Sequence, residues 1–593
     1  MKYFSLVTIA AATFAMVSCS SPANEDWTTY AEATEFRSTP KYDETIAYCQ
    51  RLAKAYKEIT YTTFGVSPQG RDLPLMIVDK DGLKTPEAIR AKGRVIMMAE
   101  ACIHSGEPDG KDAGLIWIRD LVQGSEDKKM LDNVSILFIP IFNVDGHENF
   151  SAGNRLNQNG PDELGTRWTA QLLNLNRDFL KADAPEMRAW LKLYSKWLPE
   201  LFMDHHVTDG ADFQYVSTYE VETRCSNAED GLRAWTRDVF EPQLLAGMET
   251  EGYPLFPYFD FFEEDSPESG IALGPFDPRY SESYATARNR VGLLIENHIY
   301  KPYAQRVDCS IKYMRVCMQI MNEHAKELRK VCEDADAHVA SAAFRQKPFD
   351  FEFEIDYSVS KPVDFLSWER DTVISDMSGA PWIRHRYDRP KTVSTKIYSE
   401  LKPTVSIRLP EAYIIPAQYD DIIEILGLHG VKLARLPEDR EFEVETYRYT
   451  GASFSPRQSE GRITASPRYT TQTETLMAHK GDYVLDMNQP SARVAAWLLE
   501  PMAPGSLAYW GFFNDILQAP NEFWIRLSYM EEKGREMMEK DPALKSEFEA
   551  RKASDPAFAN DSNAILNFFY SRLKAQAEQN NEIHPAWRLM TSL

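Results

Sequence analysis

Three apolar runs, each followed by a metal-ligand or acid–base side chain, most constrain how this chain can fold. In chain order they are residues 95–99 before His104 and Glu107, residues 197–203 before Asp204, His205 and His206, and residues 291–295 before Glu296. Apolar runs of this length are typical of buried strands. Because ligand crevices in open α/β sheets lie beyond the carboxyl ends of the strands, these polar side chains should meet at one sheet edge.

Strand and helix patterns alternate over residues 41–340. Helix patterns cover residues 42–57, 111–121, 185–197 and 307–331, and strand patterns cover residues 59–64, 73–78 and 134–142. Such alternation indicates an α/β domain whose mixed central sheet is flanked by helices.

The composition changes at residues 341–351, and short strand patterns predominate beyond that point. A helix pattern at residues 419–428 lies among them, and residues 528–574 have a charged, helical pattern. We therefore predict a smaller β-rich α+β accessory region over residues 350–505. A helical C-terminal region should follow over residues 506–593.

The first 19 residues have the pattern of an export signal. A basic start precedes the apolar residues 4–17, and residues 16–19 (Met-Val-Ser-Cys) resemble a bacterial lipobox in which Cys19 is lipidated. The alternative is an ordinary cleaved signal peptide with an incidental cysteine. We expect an exported bacterial lipoprotein, in the periplasm or at the cell surface, that Cys19 anchors to the outer membrane, with residues 20–40 as a tether.

The charge balance limits the kinds of partner. The net charge of −23 argues against nucleic acid, because binding a phosphate backbone requires basic patches. No later apolar run approaches the roughly 18 residues that a membrane span needs, so membrane contact is expected only through the lipidated cysteine. Six further cysteines contain no Cys-x-x-Cys pair, and their pairing stays open, as does the oligomeric state.

Five ordered motifs in the first 340 residues resemble those of the zinc carboxypeptidases of the carboxypeptidase A type. They are residues 64–71 (Phe-Gly-Val-Ser-Pro-Gln-Gly-Arg), His104-x-x-Glu107, residues 142–146 (Phe-Asn-Val-Asp-Gly), Asn176-Arg177, and the closing pair His206 and Glu296. The resemblance implies a carboxypeptidase-like α/β fold and one zinc ion per chain. It also implies hydrolysis of a peptide bond by water that the metal activates.

The resemblance assigns the metal ligands as His104, Glu107 and a third histidine. Read alone, His104 and Glu107 could be a surface capping pair after a strand. Either His205 or His206 could be the third ligand, and because neighbouring strand residues point to opposite sides, only one of them can face the metal. The family's spacing favours His206, and Asp204 could support it.

In this family an Asn-Arg pair holds the terminal carboxylate of the substrate, which implies that role for Asn176 and Arg177. An arginine fork grips a carboxylate through two hydrogen bonds, and a neighbouring amide adds a donor. Alone, the pair could equally be a helix-capping Asn beside a surface Arg. The chain departs from the family at Asn174, where an Asp often supports the first zinc histidine.

The resemblance also implies a general base, an arginine that stabilises the oxyanion and a tyrosine that caps the site. Glu296 is the predicted base, although a strand-end glutamate could instead form a surface salt bridge. Arg155 and Arg167 both lie in the interval expected for the oxyanion donor, and we take Arg155. Candidates for the tyrosine are Tyr280, Tyr284 and Tyr300, of which Tyr284 is taken as substrate-binding.

These residues predict zinc-dependent hydrolysis of peptide bonds, as a metallocarboxypeptidase that removes C-terminal residues. The substrate would be a peptide or a peptidoglycan stem. One alternative is a peptidoglycan stem-peptide amidohydrolase of the same fold. Another is a non-catalytic surface binding protein, and against it stand the intact His104, Glu107, His206 and Glu296.

Overall fold

The structure, a computed structural model, describes residues 26–124, 127–518, 527–577 and 582–591. The predicted signal peptide over residues 1–19 and its Cys19 lie outside these ranges. Within them, no helix combines the length and hydrophobicity needed to cross a bilayer. The six cysteines left open by the sequence, Cys49, Cys102, Cys225, Cys309, Cys317 and Cys332, are buried free thiols.

The bounds of the described strands and helices follow in chain order. The strands are β1 (Ile59–Val66), β2 (Asp72–Val78), β3 (Val95–Ala101), β4 (Val134–Ile139), β5 (Leu201–Thr208), β6 (Ser217–Glu220), β7 (Phe256–Pro257), β8 (Asp260–Phe261), β9 (Ile271–Ala272), β10 (Val291–His298), β11 (Pro348–Ile355), β12 (Lys361–Ile374), β13 (Pro381–Tyr398), β14 (Leu401–Arg408), β15 (Ala412–Ile415), β16 (Ala434–Arg435), β17 (Arg440–Phe454), β18 (Ala465–Ala478), β19 (Tyr483–Asp486) and β20 (Trp587–Leu589). The helices are α1 (Tyr30–Ala33), α2 (Tyr42–Ala55), α3 (Pro86–Ala91), α4 (Asp109–Gln123), α5 (Val144–Glu148), α6 (Pro185–Trp197), α7 (Asp230–Trp235), α8 (Glu241–Thr250), α9 (Ser281–Ala287), α10 (Tyr303–Val339), α11 (Ala342–Gln346), α12 (Asp420–Leu428), α13 (Ala492–Leu499), α14 (Asn514–Leu517), α15 (Leu527–Lys540), α16 (Pro542–Ser554), α17 (Pro556–Ala559) and α18 (Ser562–Ala577).

Eight of the described strands form one central sheet in the order β1-β2-β4-β3-β5-β10-β6-β7. The neighbours β4, β3, β5 and β10 run parallel, whereas β2 and β6 pair antiparallel at either side of them. The predicted α/β class with a mixed central sheet is therefore confirmed.

The two faces of this sheet contribute to different parts of the core. In β3, Ile96 and Met98 pack in the core that contains α6, whereas Val95 and Met97 pack in the core that contains α4 and α10. Burial on both faces explains why the central strands are continuously apolar rather than alternating. Because neighbouring side chains of a strand point to opposite faces, only every second side chain beyond an apolar run can reach the face that carries α6.

The strands that contain the second and third apolar runs, β5 and β10, differ in their bounds from those runs. Helix α6 ends at Trp197, so the strand β5 begins only at Leu201 and continues to Thr208. Likewise β10 continues past its apolar run to His298. His206 and Glu296 therefore lie within strands, and only His104 and Glu107 follow one.

The region beyond residue 350 is β-rich, as predicted. Six described strands form a second sheet in the order β16-β19-β15-β20-β17-β18, and β12 and β13 form a long hairpin that pairs with the short β9. One apolar cluster joins Trp190 of α6 to Leu426 of α12 and Trp497 of α13. The accessory region thus packs directly against the α6 side of the central sheet.

The predicted domain boundaries stay predictions, and two features of the structure bear on them. Residues 26–40, within the predicted tether, contain α1 and the buried Trp27. Residues 587–589, within the predicted helical C-terminal region, form β20 and pair with β15.

Candidate metal and substrate site

His104 and Glu107 lie in a tight turn between β3 and α4. The Glu107 backbone N–H donates to the His104 carbonyl oxygen at 2.9 Å, which closes the turn and directs both side chains to the same side. His104 is 3% exposed and Glu107 is 2% exposed, so a charge on either needs a nearby partner.

The two neighbouring histidines of β5, His205 and His206, point to opposite faces of the central sheet. His206 is paired with Glu296 of the parallel strand β10, so both side chains point to the same face. His205 points to the opposite face against α4, where a Cβ on Gly110 would lie only 2.4 Å from the His205 Cβ. Its two ring nitrogens have no hydrogen-bond partner in the described structure. His205 is therefore a packed side chain, and only His206 faces the predicted site.

Ligand atoms of three side chains converge at the position predicted for the metal. His206 Nδ1 lies 3.2 Å from His104 Nδ1 and 3.1 Å from Glu107 Oε2, and His104 Nδ1 lies 3.2 Å from Glu107 Oε1. Ligand atoms about 2.0–2.1 Å from a tetrahedral zinc ion would be about 3.3 Å apart. The donor set and its spacing fit zinc. Among the described residues, His104, Glu107 and His206 are the one group of three or more His, Cys, Asp or Glu side chains close enough to hold a metal ion together.

The outward-facing nitrogens of both histidines have partners that fix the rings. His104 Nε2–H donates to Asn174 Oδ1 at 3.0 Å, and His206 Nε2–H donates to Asp204 Oδ2 at 2.7 Å. Ligating histidines usually have such a partner on their second nitrogen. Asp204 thus occupies the supporting position considered from the sequence, and Asn174 replaces the usual carboxylate without losing the hydrogen bond.

The charges of the site favour a cation. Burial by itself would raise the pKa of the Glu107 carboxyl, but His104 and Arg155 hold that pKa well below its usual range. Burial lowers the pKa of His104 to about 4, which keeps its ring neutral. Burial also opposes charge on His206, yet Asp204 outweighs it and holds the pKa of His206 well above its usual range. The carboxylates of Glu107 and Asp204 therefore stabilise a positive charge between them, whether a proton or a metal cation.

Replacing Asn174 with alanine should weaken zinc binding by roughly 10- to 100-fold, because His104 then loses the acceptor that orients it. Asn174→Asp should retain the affinity, since a carboxylate oxygen can accept the same hydrogen bond. Zinc affinity measured against a competing chelator checks both variants. Asn560→Ala, an exposed change distant from the site, is the matched control. Unchanged affinity in Asn174→Ala would contradict the supporting role.

One cavity of about 340 Å³ brings together most of the predicted site. Its lining includes the predicted ligands His104, Glu107 and His206, the predicted base Glu296, the pair Asn176 and Arg177, and both candidate arginines, Arg155 and Arg167. The pKa of the Glu296 carboxyl is raised to about 8, mainly by burial and also by Glu107 and Asp204, while His206 opposes the increase. A carboxyl with a pKa near neutral suits proton transfer at neutral pH.

The predicted carboxylate clamp is assembled at the start of α9. Asn176 Oδ1 accepts a hydrogen bond from the Ser281 backbone N–H at 3.2 Å. Arg177 Nη1 donates to the Asn176 carbonyl oxygen at 2.7 Å, and its guanidinium stacks 4.4 Å from the centre of the Tyr280 ring. These contacts fix the plane of the guanidinium, and most of its five N–H donors stay available for an anion.

Tyr284 does not line this cavity, which contradicts the sequence-based choice of Tyr284 as a substrate contact. Its side chain is fully buried, and its hydroxyl lies 2.8 Å from His429 Nδ1 and accepts from Arg288 at 3.1 Å. The reason is its position one helical turn into α9, which turns the ring toward the accessory region. Tyr280, which precedes that helix, lines the cavity instead, and Tyr300 lines a different cavity.

The two candidate arginines differ in how they are engaged. Arg155 Nη1 donates to Glu107 Oε1 at 2.7 Å and Arg155 Nη2 donates to the Val207 carbonyl oxygen at 3.0 Å. Arg167 is more open, with a side chain that is 37% exposed and an Nη1 that lies 3.8 Å from Glu107 Oε1. Arg155 thus holds the predicted ligand Glu107 in place, and Arg167 presents the more accessible positive charge.

Sequence reasoning missed the buried Glu282, which also lines the cavity. Burial raises the pKa of its carboxyl to about 8, and its Oε1 has no hydrogen-bond partner in the described structure. Because Glu282 lies inside the short helix α9 with no apolar strand before it, no local pattern pointed to it.

A hairpin of the accessory region supports the loop that carries the clamp. The connection between β17 and β18 brings Glu460 to the Asn174 backbone N–H, which donates to Glu460 Oε2 at 3.2 Å. From the same connection Arg462 donates to both carboxylate oxygens of Asp183, at 2.7 and 2.6 Å. The accessory region therefore contacts the loop that carries Asn176 and Arg177 into the cavity of the predicted ligands, which we call the catalytic cavity for its predicted role.

One known protein family matches part of the chain that contains the candidate site. Residues 45–231 match the family model described as zinc carboxypeptidase. That segment contains the predicted ligands His104, Glu107 and His206 and the clamp pair. The match supports the sequence-based prediction of a metallocarboxypeptidase.

Particular relatives resemble a longer part of the chain. Carboxypeptidase 2 of Trichophyton rubrum is 23% identical over 496 residues, which span 80% of this chain and 84% of the relative. Probable carboxypeptidase 2 of Arthroderma benhamiae is 23% identical over 487 residues, 78% of this chain and 84% of the relative. Among solved structures, carboxypeptidase A from Helicoverpa armigera aligns with a TM-score of 0.37 and 15% identity, covering 50% of this chain and 80% of that chain.

Proposed function

We propose that this protein is a zinc-dependent carboxypeptidase that removes residues from the carboxyl end of peptides and binds one zinc ion per chain. The observation that carries the proposal is the convergence of three side chains, His104, Glu107 and His206, each of which has a ligand atom within 3.2 Å of a ligand atom of both others. The same cavity also contains a carboxylate clamp and an additional buried carboxyl group.

The proposed roles follow from what each side chain can do at its position. A zinc ion supplies Lewis acidity, which polarises a carbonyl group and lowers the pKa of water. Arg177 and Asn176 bind the terminal carboxylate of the substrate and so select the last peptide bond. Glu296 accepts a proton from the attacking water and delivers it to the leaving amine. Arg155 keeps Glu107 oriented as a ligand.

We assign the oxyanion contact to Arg167 rather than to Arg155. Arg167→Ala should lower kcat by roughly 10²- to 10³-fold with zinc retained, because the lost donor acts on charge that develops in the transition state. Arg155→Ala should instead weaken zinc binding, because Glu107 loses its partner. Steady-state kinetics with zinc analysis of each variant separates the two roles. The opposite pattern would return the oxyanion role to Arg155.

Selectivity for a free carboxyl end tests the function itself. Two peptides of identical sequence, one ending in a free acid and one in a C-terminal amide, are offered to the zinc-loaded protein. The free acid should lose its last residue, and the amide should be cleaved far more slowly. Equal cleavage of both, or cuts at internal bonds, would overturn the exopeptidase assignment. No cleavage of any peptide, including peptidoglycan stem peptides, would favour a non-catalytic binding protein.

We also propose that the chain is exported and anchored through a lipid on Cys19. The support is the signal pattern of residues 1–19, which lie outside the described structure. Labelled palmitate should be incorporated by the expressed full chain and not by Cys19→Ser. Palmitate incorporation that persists in Cys19→Ser would show that Cys19 is not the lipidated residue.

A further inference from the structure

Two further cavities extend the catalytic cavity away from the clamp. The first, of about 330 Å³, shares Thr208, Asp209 and Tyr258 with the catalytic cavity. The second, of about 900 Å³, shares Gly210 and Asp265 with the first. The three cavities therefore form one path across the surface.

The position of this path relative to the clamp indicates which part of a peptide substrate can occupy it. Neither outer cavity is lined by the clamp residues Asn176 and Arg177. If a peptide places its last residue at that clamp, the chain on the other side of the cut bond must leave the catalytic cavity. The shared lining makes the outer cavities the exit for this upstream part of the substrate.

The first outer cavity is acidic. Its wall carries Asp209, Asp260, Glu264 and Asp265, and the described lining contains no lysine or arginine. A positively charged side chain in this cavity would be attracted by several carboxylates at once.

The second outer cavity, beneath the hairpin of β12 and β13, adds exposed aromatic faces. Tyr300 is 39% exposed, Trp382 is 48% exposed and Tyr387 is 60% exposed. The lysine and the arginine of this lining are already paired: Lys301 donates to Asp212 at 2.7 Å, and Arg384 donates to Asp371 at 2.9 Å. Aromatic faces beside a carboxylate such as Asp265 form a favourable site for a cation.

We propose that these cavities form an upstream subsite that selects peptides carrying an arginine or lysine on the amino-terminal side of the cut bond. The basic side chain lies between Asp265 and the aromatic faces of Trp382 and Tyr387. The proposal rests on the carboxypeptidase activity proposed above. It concerns which substrate is preferred, not how the bond is cut.

A series of blocked peptides tests the subsite on the full-length, zinc-loaded protein. Each peptide has the same C-terminal residue, and a single arginine, glutamine or phenylalanine is placed at the second, third, fourth or fifth residue before the cut bond. At one or more positions arginine should lower KM by roughly 5- to 30-fold relative to glutamine, as one cation–π contact and one ion pair would produce. Added salt should reduce the difference.

Variants of the subsite should remove this preference. Asp265→Asn and Trp382→Ala should bring the arginine-to-glutamine ratio of kcat/KM toward one. Asparagine is chosen because Asp265 has a φ of 56°, which asparagine tolerates. Asp376→Asn and Met377→Ala, on the exposed turn of the same hairpin, are the matched controls and should keep the preference. Thermal melting verifies that each variant is folded.

Three outcomes separate this proposal from the proposed function. Hydrolysis of the free-acid peptides with no preference for arginine at any position would overturn the subsite and leave the carboxypeptidase assignment intact. A preference for phenylalanine equal to that for arginine would also overturn it, because the carboxylates would then have no part. No hydrolysis of any peptide would defeat the proposed function itself.

Discussion

Glu296→Gln should abolish peptide hydrolysis while leaving the metal in place. Glutamine has nearly the same shape but cannot accept the proton of the attacking water, and loss of a general base lowers kcat by roughly 10²- to 10⁴-fold. Glu296 pairs in register with His206 but is not among the three converging ligand side chains. Zinc analysis by atomic absorption and steady-state kinetics on the same sample check the two halves of this prediction.

Glu323→Gln, an exposed change on the distant helix α10, is the matched control and should keep both metal and activity. Loss of zinc from Glu296→Gln would make Glu296 a ligand and would contradict its role as the base. Retained activity would assign the proton transfer to another carboxyl, of which the buried Glu282 in the same cavity is the first candidate.

His206→Ala should lose zinc and all activity, whereas His205→Ala should keep the metal. The first change removes one of three protein ligands, and the remaining pair cannot complete a catalytic zinc site. The second removes a side chain packed against Gly110 on the other face of the sheet, so it should lower the melting temperature through a cavity and not through the metal. Zinc content after dialysis against a weak chelator, with thermal melting in parallel, distinguishes the two.

The reverse result would shift the ligand by one residue. Zinc lost from His205→Ala and retained in His206→Ala would be incompatible with the pairing of His206 and Glu296 on neighbouring strands. Such a result would require a register of β5 different from the one described here.

The sequence predicted the inner strands of the central sheet because these strands are buried on both faces. Such strands are continuously apolar, and β3 and α6 follow their predicted runs closely. Alternation of side chains along a strand also predicted that only one of His205 and His206 could face the metal. The position of Gly110 against His205 in the structure agrees with that expectation.

The parts of the site that depend on tertiary contacts could not be predicted. Tyr280 and Tyr284 are four residues apart, and only the packing of α9 against the accessory region shows that Tyr284 is buried. Arg155 and Arg167 lie in one irregular segment whose spacing carries no periodic signal. The contact of Glu460 with the loop at Asn174 joins residues almost 300 positions apart, a distance that no local pattern can bridge.

The sequence alone predicted least about the contacts of the accessory region. Its hairpin tip contacts the clamp loop, His429 directly after its helix α12 lies against Tyr284, and its long hairpin of β12 and β13 covers the larger outer cavity. We infer that the accessory region orders the loop of the candidate site and, through the proposed subsite, extends the substrate cleft.

Mass spectrometry of a peptide mixture, including cell-wall stem peptides, after incubation with the zinc-loaded protein tests the proposed carboxypeptidase activity most directly. We expect products shortened one residue at a time from the carboxyl end, absent when the metal is chelated and absent with Glu296→Gln. Cuts at internal bonds, shortening from the amino end, or products that persist without the metal would contradict it.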